Sequence, residues 1–391
     1  MNRPARSAIT ALALASAALT AACGSAAPAA RGPAPEAPPA GAPFLATSLV
    51  TAAGTWAVAV MGGSVAAHDN FWQLFVRPAG SPGWKLVTPP GVPDNGGLVL
   101  APAGGRSLIT GFRPSQFLTY TPLSATADGG QAWSSTGPLA GALANVPDAL
   151  AAAPGPGHLL ALLTGGTAAM AAPSGYARWT SLASVRSLAS TSPGRQCGLQ
   201  SLTAAAFSPS GQPLLGGTCS HPGTAGIFAD SGGTWHAAGP PLPAALAGQA
   251  VQVLRLTGTA NSTVALLAAG AGPATSLLIA SSSDGGSHWA MSPPFPLHGA
   301  TPVSTSFGPG DTAAVMLNGN RGETLAGNGA SWRALPPLPT GTATLAPGPG
   351  AGLDALAVHR TILTVWHLAP GSGTWTKTQT INVPIQFGSS A

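Results

Sequence analysis

Charged side chains are scarce in this chain of 391 residues, of which Asp, Glu, Lys and Arg make up only 6%. An ordinary soluble domain carries about 25%. Lys85 and Lys377 are the only lysines, and the arginines stand singly rather than in runs. The net charge of +5 therefore reflects a shortage of acids rather than a basic face. We expect no nucleic-acid partner.

Residues suited to catalysis are equally few. The Glu are Glu36 and Glu323, and the Asp outside the repeated motif described below are Asp69, Asp94, Asp148, Asp311 and Asp354. No spacing among them singles out the two carboxyls, about 5 to 9 Å apart, that glycoside hydrolysis requires. The eight His are dispersed, and no His-Glu-x-x-His, Gly-x-Ser-x-Gly or P-loop motif occurs. We expect no metal and no cofactor, and we favour binding over catalysis.

The first 22 residues are typical of a secretory signal peptide. Arg3 and Arg6 precede an apolar run of about 15 residues, which is shorter than the roughly 20 residues of a membrane-spanning helix. Small residues then lead to Cys23, in a pattern that resembles the lipobox of bacterial lipoproteins. The pattern departs from the family at Thr20, where Leu is usual, and Leu19 stands one place early.

The lipobox resemblance implies that residues 1–22 are removed and that Cys23 is acylated. Such a protein is anchored to the outer face of the plasma membrane; a freely secreted protein, cleaved without acylation, is the alternative. Residues 24–43 contain six Pro and no aromatic residue, which predicts an extended tether between the anchor and a folded domain. The Ala, Gly and Pro bias points to a high-GC, actinobacterial source with a Gram-positive type of envelope.

Two further cysteines, Cys197 and Cys219, lie in the part expected to fold. Export places them in an oxidising compartment. Because Cys23 is assigned to acylation, the two cysteines that are left predict one disulfide. A metal pair is the alternative, with His221 as the one nearby ligand.

Seven tryptophans recur at long, similar intervals. They are Trp84, Trp133, Trp179, Trp235, Trp289, Trp332 and Trp375, separated by 49, 46, 56, 54, 43 and 43 residues. Most follow a short turn that contains Gly or Pro, and a second Gly/Pro/Asn turn flanked by apolar runs precedes each Trp by about 22 to 31 residues. Each repeat therefore reads as strand, hairpin, strand, loop, strand, hairpin, strand.

Four strands in about 43 to 56 residues match the length of one propeller blade. A single open sheet of 28 strands would expose long edges, whereas radial closure protects them. The sequence therefore predicts an all-β fold, a seven-bladed β-propeller over residues 44–391, with six or eight blades as alternatives. It follows a signal peptide (1–22) and a tether (23–43), and we expect a monomer.

The strongest repeats share the motif Ser/Thr-x-Asp-x-Gly-x-x-Trp. One copy contains Thr126, Asp128, Gly130 and Trp133, and another contains Ser282, Asp284, Gly286 and Trp289. A third keeps Asp230, Gly232 and Trp235, with Phe228 in place of the hydroxyl residue. An Asp in a hairpin accepts hydrogen bonds from N–H groups of its own turn, Gly allows positive φ, and Trp packs beside the turn. The residue types therefore favour a structural role.

This motif resembles the Asp-box, or BNR repeat, of sialidases, other bacterial glycosidases, sortilin-type receptors and photosystem assembly factors. In that family the boxes lie on the blade perimeter, away from the funnel in which chemistry occurs. We therefore assign no catalytic residue among them, and we expect any ligand to bind at the opposite face. The resemblance implies a glycan or an envelope protein as a partner.

A divergent, exo-sialidase-like glycoside hydrolase is the alternative. The stretch containing Phe112, Arg113 and Pro114 resembles the Phe-Arg-Ile-Pro stretch of sialidases without its Ile. A sialidase also needs an arginine triad, a Tyr/Glu pair and an acid/base Asp, and the chain offers few such residues. The candidate ligand contacts are Arg113, Tyr120 and Glu323. A non-catalytic, membrane-anchored propeller remains the preferred interpretation.

Overall fold

The computed structural model describes residues 46–62, 70–90, 97–112, 123–135, 147–153, 158–163, 165–172, 179–259, 261–308, 312–325 and 331–384. All of them belong to one compact unit, Pro39–Ala391, of the two into which the chain divides. The signal peptide, Cys23 and the tether lie outside the described residues and stay predictions.

The described strands form seven consecutive groups of four, which we call modules, plus one short extra strand. Module 1 contains β1 (Ala46–Thr51), β2 (Gly54–Gly62), β3 (Asn70–Pro78) and β4 (Lys85–Leu86). Module 2 contains β5 (Leu98–Pro102), β6 (Leu108–Phe112), β7 (Leu123–Thr126) and β8 (Ser134–Ser135). Module 3 contains β9 (Ala149–Ala152), β10 (Leu159–Leu163), β11 (Ala168–Ala172) and β12 (Thr180–Ser184).

The second part of the chain repeats this arrangement. Module 4 contains β13 (Leu199–Phe207), β14 (Pro213–Cys219), β15 (Ile227–Ser231) and β16 (Thr234–Ala237). Module 5 contains β17 (Val251–Gly258), β18 (Thr263–Ala269), β19 (Ser276–Ser282) and β20 (Ala290–Met291), with the extra strand β21 (Phe295–Pro296) on β19. Module 6 contains β22 (Pro302–Phe307), β23 (Ala313–Leu317), β24 (Arg321–Leu325) and β25 (Trp332–Ala334). Module 7 contains β26 (Thr342–Pro347), β27 (Leu353–His359), β28 (Ile362–Leu368) and β29 (Thr376–Asn382).

The strand order predicted from the repeat is confirmed. Within each module successive strands pair antiparallel, and each of the seven Trp lies within one residue of the start of a fourth strand. Along the chain, the Gly/Pro/Asn stretches fall between first and second strands. Each module therefore has a turn end, which carries the 1–2 and 3–4 turns, and an opposite loop end, which carries the 2–3 loop.

The apolar core is distributed over seven clusters, each between two modules. The clusters join modules 1/2, 2/3, 3/4, 4/5, 5/6, 6/7 and 7/1 in a cycle. Each cluster either contains the Trp of its later module or has that Trp packed against it, with module 1 following module 7. This cyclic arrangement of sheets is a β-propeller.

Strand β2 shows how the sequence produces two buried faces. Trp56 and Val58 pack toward module 2, whereas Ala57 and Ala59 pack toward module 7. All four side chains are fully buried. Successive side chains of a strand point to opposite faces of its sheet. A strand that is covered by another module on each face is therefore apolar at every position. This explains the apolar runs that flank the turns of the sequence.

The first strands of the modules lie nearest the centre of the propeller. Two features of these strands depart from the regular four-stranded pattern. β1 also pairs parallel with β22, which joins modules 1 and 6 directly. In modules 4 to 7 a β-bulge interrupts the first strand five residues before its turn, at Thr203, Leu254, Val303 and Ala343. A bulge re-aims the neighbouring side chains.

The described helices are short. α1 (Val185–Ala189) and α2 (Ser192–Cys197) connect modules 3 and 4, and three 3₁₀ turns cover Ala244–Leu246, Gly272–Ala274 and Pro349–Ala351. Cys197, at the end of α2, forms a disulfide with Cys219 at the end of β14. The disulfide ties the helical connection to module 4.

Candidate functional site

The two complete copies of the Asp motif form the same turn. Asp128 accepts hydrogen bonds from the N–H groups of Gln131 (2.9 Å) and Ala132 (3.1 Å) and from the Thr126 hydroxyl (2.8 Å), which itself accepts from the Gly130 N–H (3.0 Å). The N–H of Ala132 and the hydroxyl of Thr126 hold the pKa of Asp128 below its ordinary value. The carboxylate is thus occupied by its own turn.

The copy in module 5 repeats this geometry. Asp284 accepts from the N–H of His288 (2.9 Å) and the hydroxyl of Ser282 (2.9 Å), and its second oxygen lies 2.6 Å from Nδ1 of His288. The backbone N–H and the ring of His288 lower the pKa of Asp284. Gly285 and Gly286 both have positive φ, as this turn requires.

The third copy forms a different turn. Asp230 and Trp235 face each other across strands β15 and β16, and Gly232 and Gly233 make a two-residue hairpin. Asp230 accepts one backbone hydrogen bond, from Gly233. Without the hydroxyl residue at Phe228, the longer turn of the other two copies does not form.

The complete copies also pack against the preceding module. A side chain at Gly130 would collide with Val87, and one at Gly286 would collide with the backbone oxygen of Ala238. Nε1 of Trp289 donates to the same Ala238 oxygen at 2.8 Å. The Gly and Trp of the motif therefore attach one module to the next, which is a structural function.

Modules 1 and 7 meet at a buried polar network. Asp354 accepts hydrogen bonds from Nε1 of Trp84 (2.9 Å), and its other oxygen lies 2.8 Å from Nδ1 of His367. Nε of Arg77 lies 3.6 Å from the carboxylate, and the Arg77 guanidinium donates to the Pro347 carbonyl at 2.7 Å. Burial lowers the pKa of Arg77, and the charge of Asp354 opposes this. Gln379 binds both the N–H and the carbonyl of Trp84.

A cavity of 100 Å³, which we call the central channel, lies among the first strands of modules 1 to 5. Most of its lining is apolar, and its charged lining residues are Asp148 and Arg255. NH1 of Arg255 donates to the hydroxyl of Thr305 at 3.3 Å, and the guanidinium lies 5.7 Å from the ring centroid of Phe307. Burial lowers the pKa of Arg255 to about 10, so the side chain stays charged at neutral pH.

Asp148 lies just before β9 and is directed at its own module. Its carboxylate accepts the N–H of Gly166 at 2.9 Å. Burial raises the pKa of Asp148, and the hydrogen bonds from Gly166 and Gly165 limit that increase. Within the described part of the chain, no ion pair joins Asp148 to Arg255.

A larger groove of 740 Å³ lies at the turn end of modules 6 and 7. Its walls include Leu335 and Pro336 after β25, Pro347 and Gly352 in the 1–2 turn of module 7, and Ser372 in the 3–4 turn. No aromatic and no acidic side chain is among the lining residues that the structure describes. Arg333 is the charged residue of this groove, which we call the 6/7 groove.

The structure separates the acidic residues considered for catalysis. Asp148 belongs to module 3, Glu323 to module 6 and Asp354 to module 7, and each contacts different partners. Glu323 is buried on β24 beside Leu325 in the 5/6 interface and lines neither cavity. Burial raises the pKa of Glu323, and the charge of Arg321 opposes this.

Other predicted site residues lie outside the described residues. These are the lipid-attachment residue Cys23, the candidate ligand contacts Arg113 and Tyr120, and the acids Asp69 and Asp94. The disulfide expected from Cys197 and Cys219 is present. His221, the alternative ligand beside them, contacts the Gln196 carbonyl through Nδ1.

The described residues contain neither a metal-ligand cluster nor a membrane-spanning helix. His, Cys, Asp and Glu side chains do not gather there in groups of three or more that could hold a metal ion. Within the same ranges, no helix has the length and apolar character needed to cross a membrane.

Arg255 and the 6/7 groove were not predicted from the sequence. The one sequence signal at Arg255 is a lone charge inside the apolar stretch "VQVLRL", which forms β17. The groove opens at the turn end, the same end that carries the Asp turns, whereas the resemblance had led us to expect binding at the opposite face.

No protein-family model and no curated protein matches the sequence. Solved structures do match: a protein from Lactobacillus plantarum has a TM-score of 0.52 at 12% identity, over 84% of this chain and 96% of its own. The fold is that of a β-propeller. A Bacteroides uniformis protein assigned as a 6-phosphogluconolactonase has a TM-score of 0.51 at 13% identity, over 83% and 96%. YCF48 from Cyanidioschyzon merolae scores 0.49 at 13% identity, over 84% and 95%.

Proposed function

We propose that this protein is an exported lipoprotein, acylated at Cys23, whose β-propeller binds a partner protein at the outer face of the plasma membrane without catalysing a reaction. The 6/7 groove is the observation that carries the proposal. It is the larger of the two cavities described above, and it is apolar with few polar groups, as binding sites commonly are. The Asp turns, as members of the Asp-box family, would stabilise the propeller that presents this groove.

An extended segment with an acidic side chain is the occupant that fits the groove. Arg333 forms no ion pair with the described residues and would attract a carboxylate. Pro, Leu, Ala and Gly make up most of the walls and can contact an apolar chain, and Ser and Thr hydroxyls add a few polar groups. Sugar rings commonly stack on aromatic faces, and the described lining has none, which favours a protein segment over a glycan.

Catalysis has less support from the described acids. A glycosidase needs two carboxyls about 5 to 9 Å apart. Asp354 is engaged with Arg77 and Trp84, and Asp148 with Gly166, whereas Glu323 lies in the 5/6 interface. The positions of these acids therefore favour a binding function over catalysis.

Site-specific photo-cross-linking in the producing cells tests the partner. A photoreactive residue in place of Ser372, inside the groove, is expected to cross-link a defined protein, and R333E is expected to abolish this product. The matched control replaces Ile362, which is 41% exposed at the loop end of module 7. Equal yields from both positions, or cross-links to the chain's own tether, would contradict the proposal. So would saturable binding of the purified domain to a glycan array that R333E weakens.

The anchor has a separate test. Cys23→Ala is expected to move the protein from the membrane fraction to the medium. If the variant remains in the membrane fraction, anchoring through Cys23 is wrong.

A further inference from the structure

Arg255 is a half-buried cation with no counter-ion among the described residues. Its side chain lines the central channel, and no carboxylate of the described residues lies within 4 Å of the guanidinium. Arg77, which is buried, has Asp354 beside it. A guanidinium that faces a largely apolar cavity is incompletely solvated on that side, so an anion that enters the cavity would pair with it.

The local structure directs Arg255 toward a specific place. The bulge at Leu254 shifts the register of β17 against β18, and the guanidinium extends toward module 6. There NH1 contacts Thr305 at 3.3 Å, and the ring of Phe307 lies 5.7 Å from the guanidinium carbon. These contacts fix the position of the guanidinium without neutralising its charge.

Most of the hydrogen-bonding capacity of Arg255 is unused. A guanidinium has five N–H donors, and one nitrogen is bonded, to Thr305, among the described residues. In contrast to Nε of Arg77, no nitrogen of Arg255 is both enclosed by protein and unpartnered. The remaining donors therefore face the cavity, where a ligand can reach them.

We propose that Arg255, held in position by the hydroxyl of Thr305, binds a small oxyanion in the central channel, either a carboxylate or a phosphate group. The planar fork of a guanidinium matches the two oxygens of such a group. The 100 Å³ cavity accommodates more than a single water molecule. Asp148, the other charged lining residue, is bound to Gly166 and does not occupy the fork.

Anion titration of the purified propeller tests this site. Isothermal titration calorimetry and thermal unfolding are followed with sodium phosphate and, separately, sodium acetate, against sodium chloride at equal ionic strength. Wild-type protein is expected to bind at least one of the two probes saturably and to unfold at a higher temperature in its presence. The two arms distinguish a phosphate group from a carboxylate.

Three variants make the result specific. R255M is expected to lose the saturable binding, and T305V to weaken it several-fold. R186M, which removes an exposed arginine of α1, is the matched control and should bind as the wild type does. If R255M does not fold, R255K serves in its place: it keeps the charge but not the fork and is expected to bind more weakly.

Two outcomes would overturn the proposal. One is the absence of saturable binding of either probe by the wild-type protein. The other is an anion effect of equal size in R255M or R255K, T305V and R186M, because a general effect of salts on protein surfaces does not depend on one side chain.

Discussion

Removal of Asp354 should open the junction of modules 1 and 7. This carboxylate is 4% exposed, and it lies between Arg77, which is 10% exposed, and Nε1 of Trp84. Asp354→Ala would leave a buried guanidinium without its anion and a buried indole N–H without its acceptor. Breaking a buried ion pair by removing one partner costs about 3 to 5 kcal/mol, and the unpaired indole contributes to this cost. We expect the free energy of unfolding to fall by that amount.

The loss can be measured by urea unfolding at neutral pH, followed by Trp fluorescence. Asp354→Asn retains an oxygen that Trp84 can reach and should be destabilised less than the Ala variant. The double variant Arg77→Met with Asp354→Asn should be more stable than the sum of its single changes implies, because it no longer contains a lone buried charge. Amide exchange should accelerate in β4 and β29 of Asp354→Ala.

Two results would refute this reasoning. If Asp354→Ala costs less than about 1 kcal/mol, the network does not hold the junction, since that is the size of a single ordinary hydrogen bond. If the Arg77 and Asp354 changes are additive within about 0.5 kcal/mol, the two residues do not interact energetically.

Three further predictions concern other parts of the propeller. Burial raises the folded-state pKa of Glu323 above its unfolded value, so wild-type stability decreases as this group ionises with rising pH. Glu323→Gln should therefore have a higher melting temperature than the wild type at pH 7. This difference in melting temperature should disappear below about pH 4. The pKa of Asp284 is lowered in the folded state, so the stabilisation by its carboxylate is present above the unfolded pKa of about 3.9 and disappears as the pH falls. Asp284→Ala should therefore have a lower melting temperature than the wild type at pH 7. Asp230→Ala should lower the melting temperature less, because Asp230 accepts one backbone N–H. Reduction of the Cys197–Cys219 disulfide, with a separation of 22 residues, should cost about 3 kcal/mol, measured by urea unfolding with and without reductant.

The strand order was predictable because its signals are local. The turn residues and the Trp before each fourth strand act within a few positions of one another, and the sequence shows them directly. The Asp turns were predictable for the same reason: Asp128 and Asp284 bind N–H groups three or four residues further along the chain. The third copy differs because Phe228 lacks the hydroxyl that organises the other two.

The candidate sites depend on contacts between distant segments and could not be predicted. Arg255 meets Thr305, 50 residues away, and a bulge that has no sequence signature directs it there. Asp354 meets Trp84 across 270 residues, so a buried acid of the junction resembled a turn or strand-border Asp in the sequence. The 6/7 groove consists largely of Pro, Gly and Ala, which occur throughout the chain and mark no position.

Each module consists of consecutive strands, four in most modules and five in module 5, and modules 1 and 7 share no strand at their junction. A module is therefore one uninterrupted segment of the gene. In-frame duplication or deletion of such a segment would add or remove a complete module, and the described pairings that cross between modules are β1 with β22 and β14 with β17. The chain could likewise be circularly permuted, with its present ends joined and new ends opened in the connection 238–250. The junction held by Asp354 and Trp84 would then become one internal interface among seven.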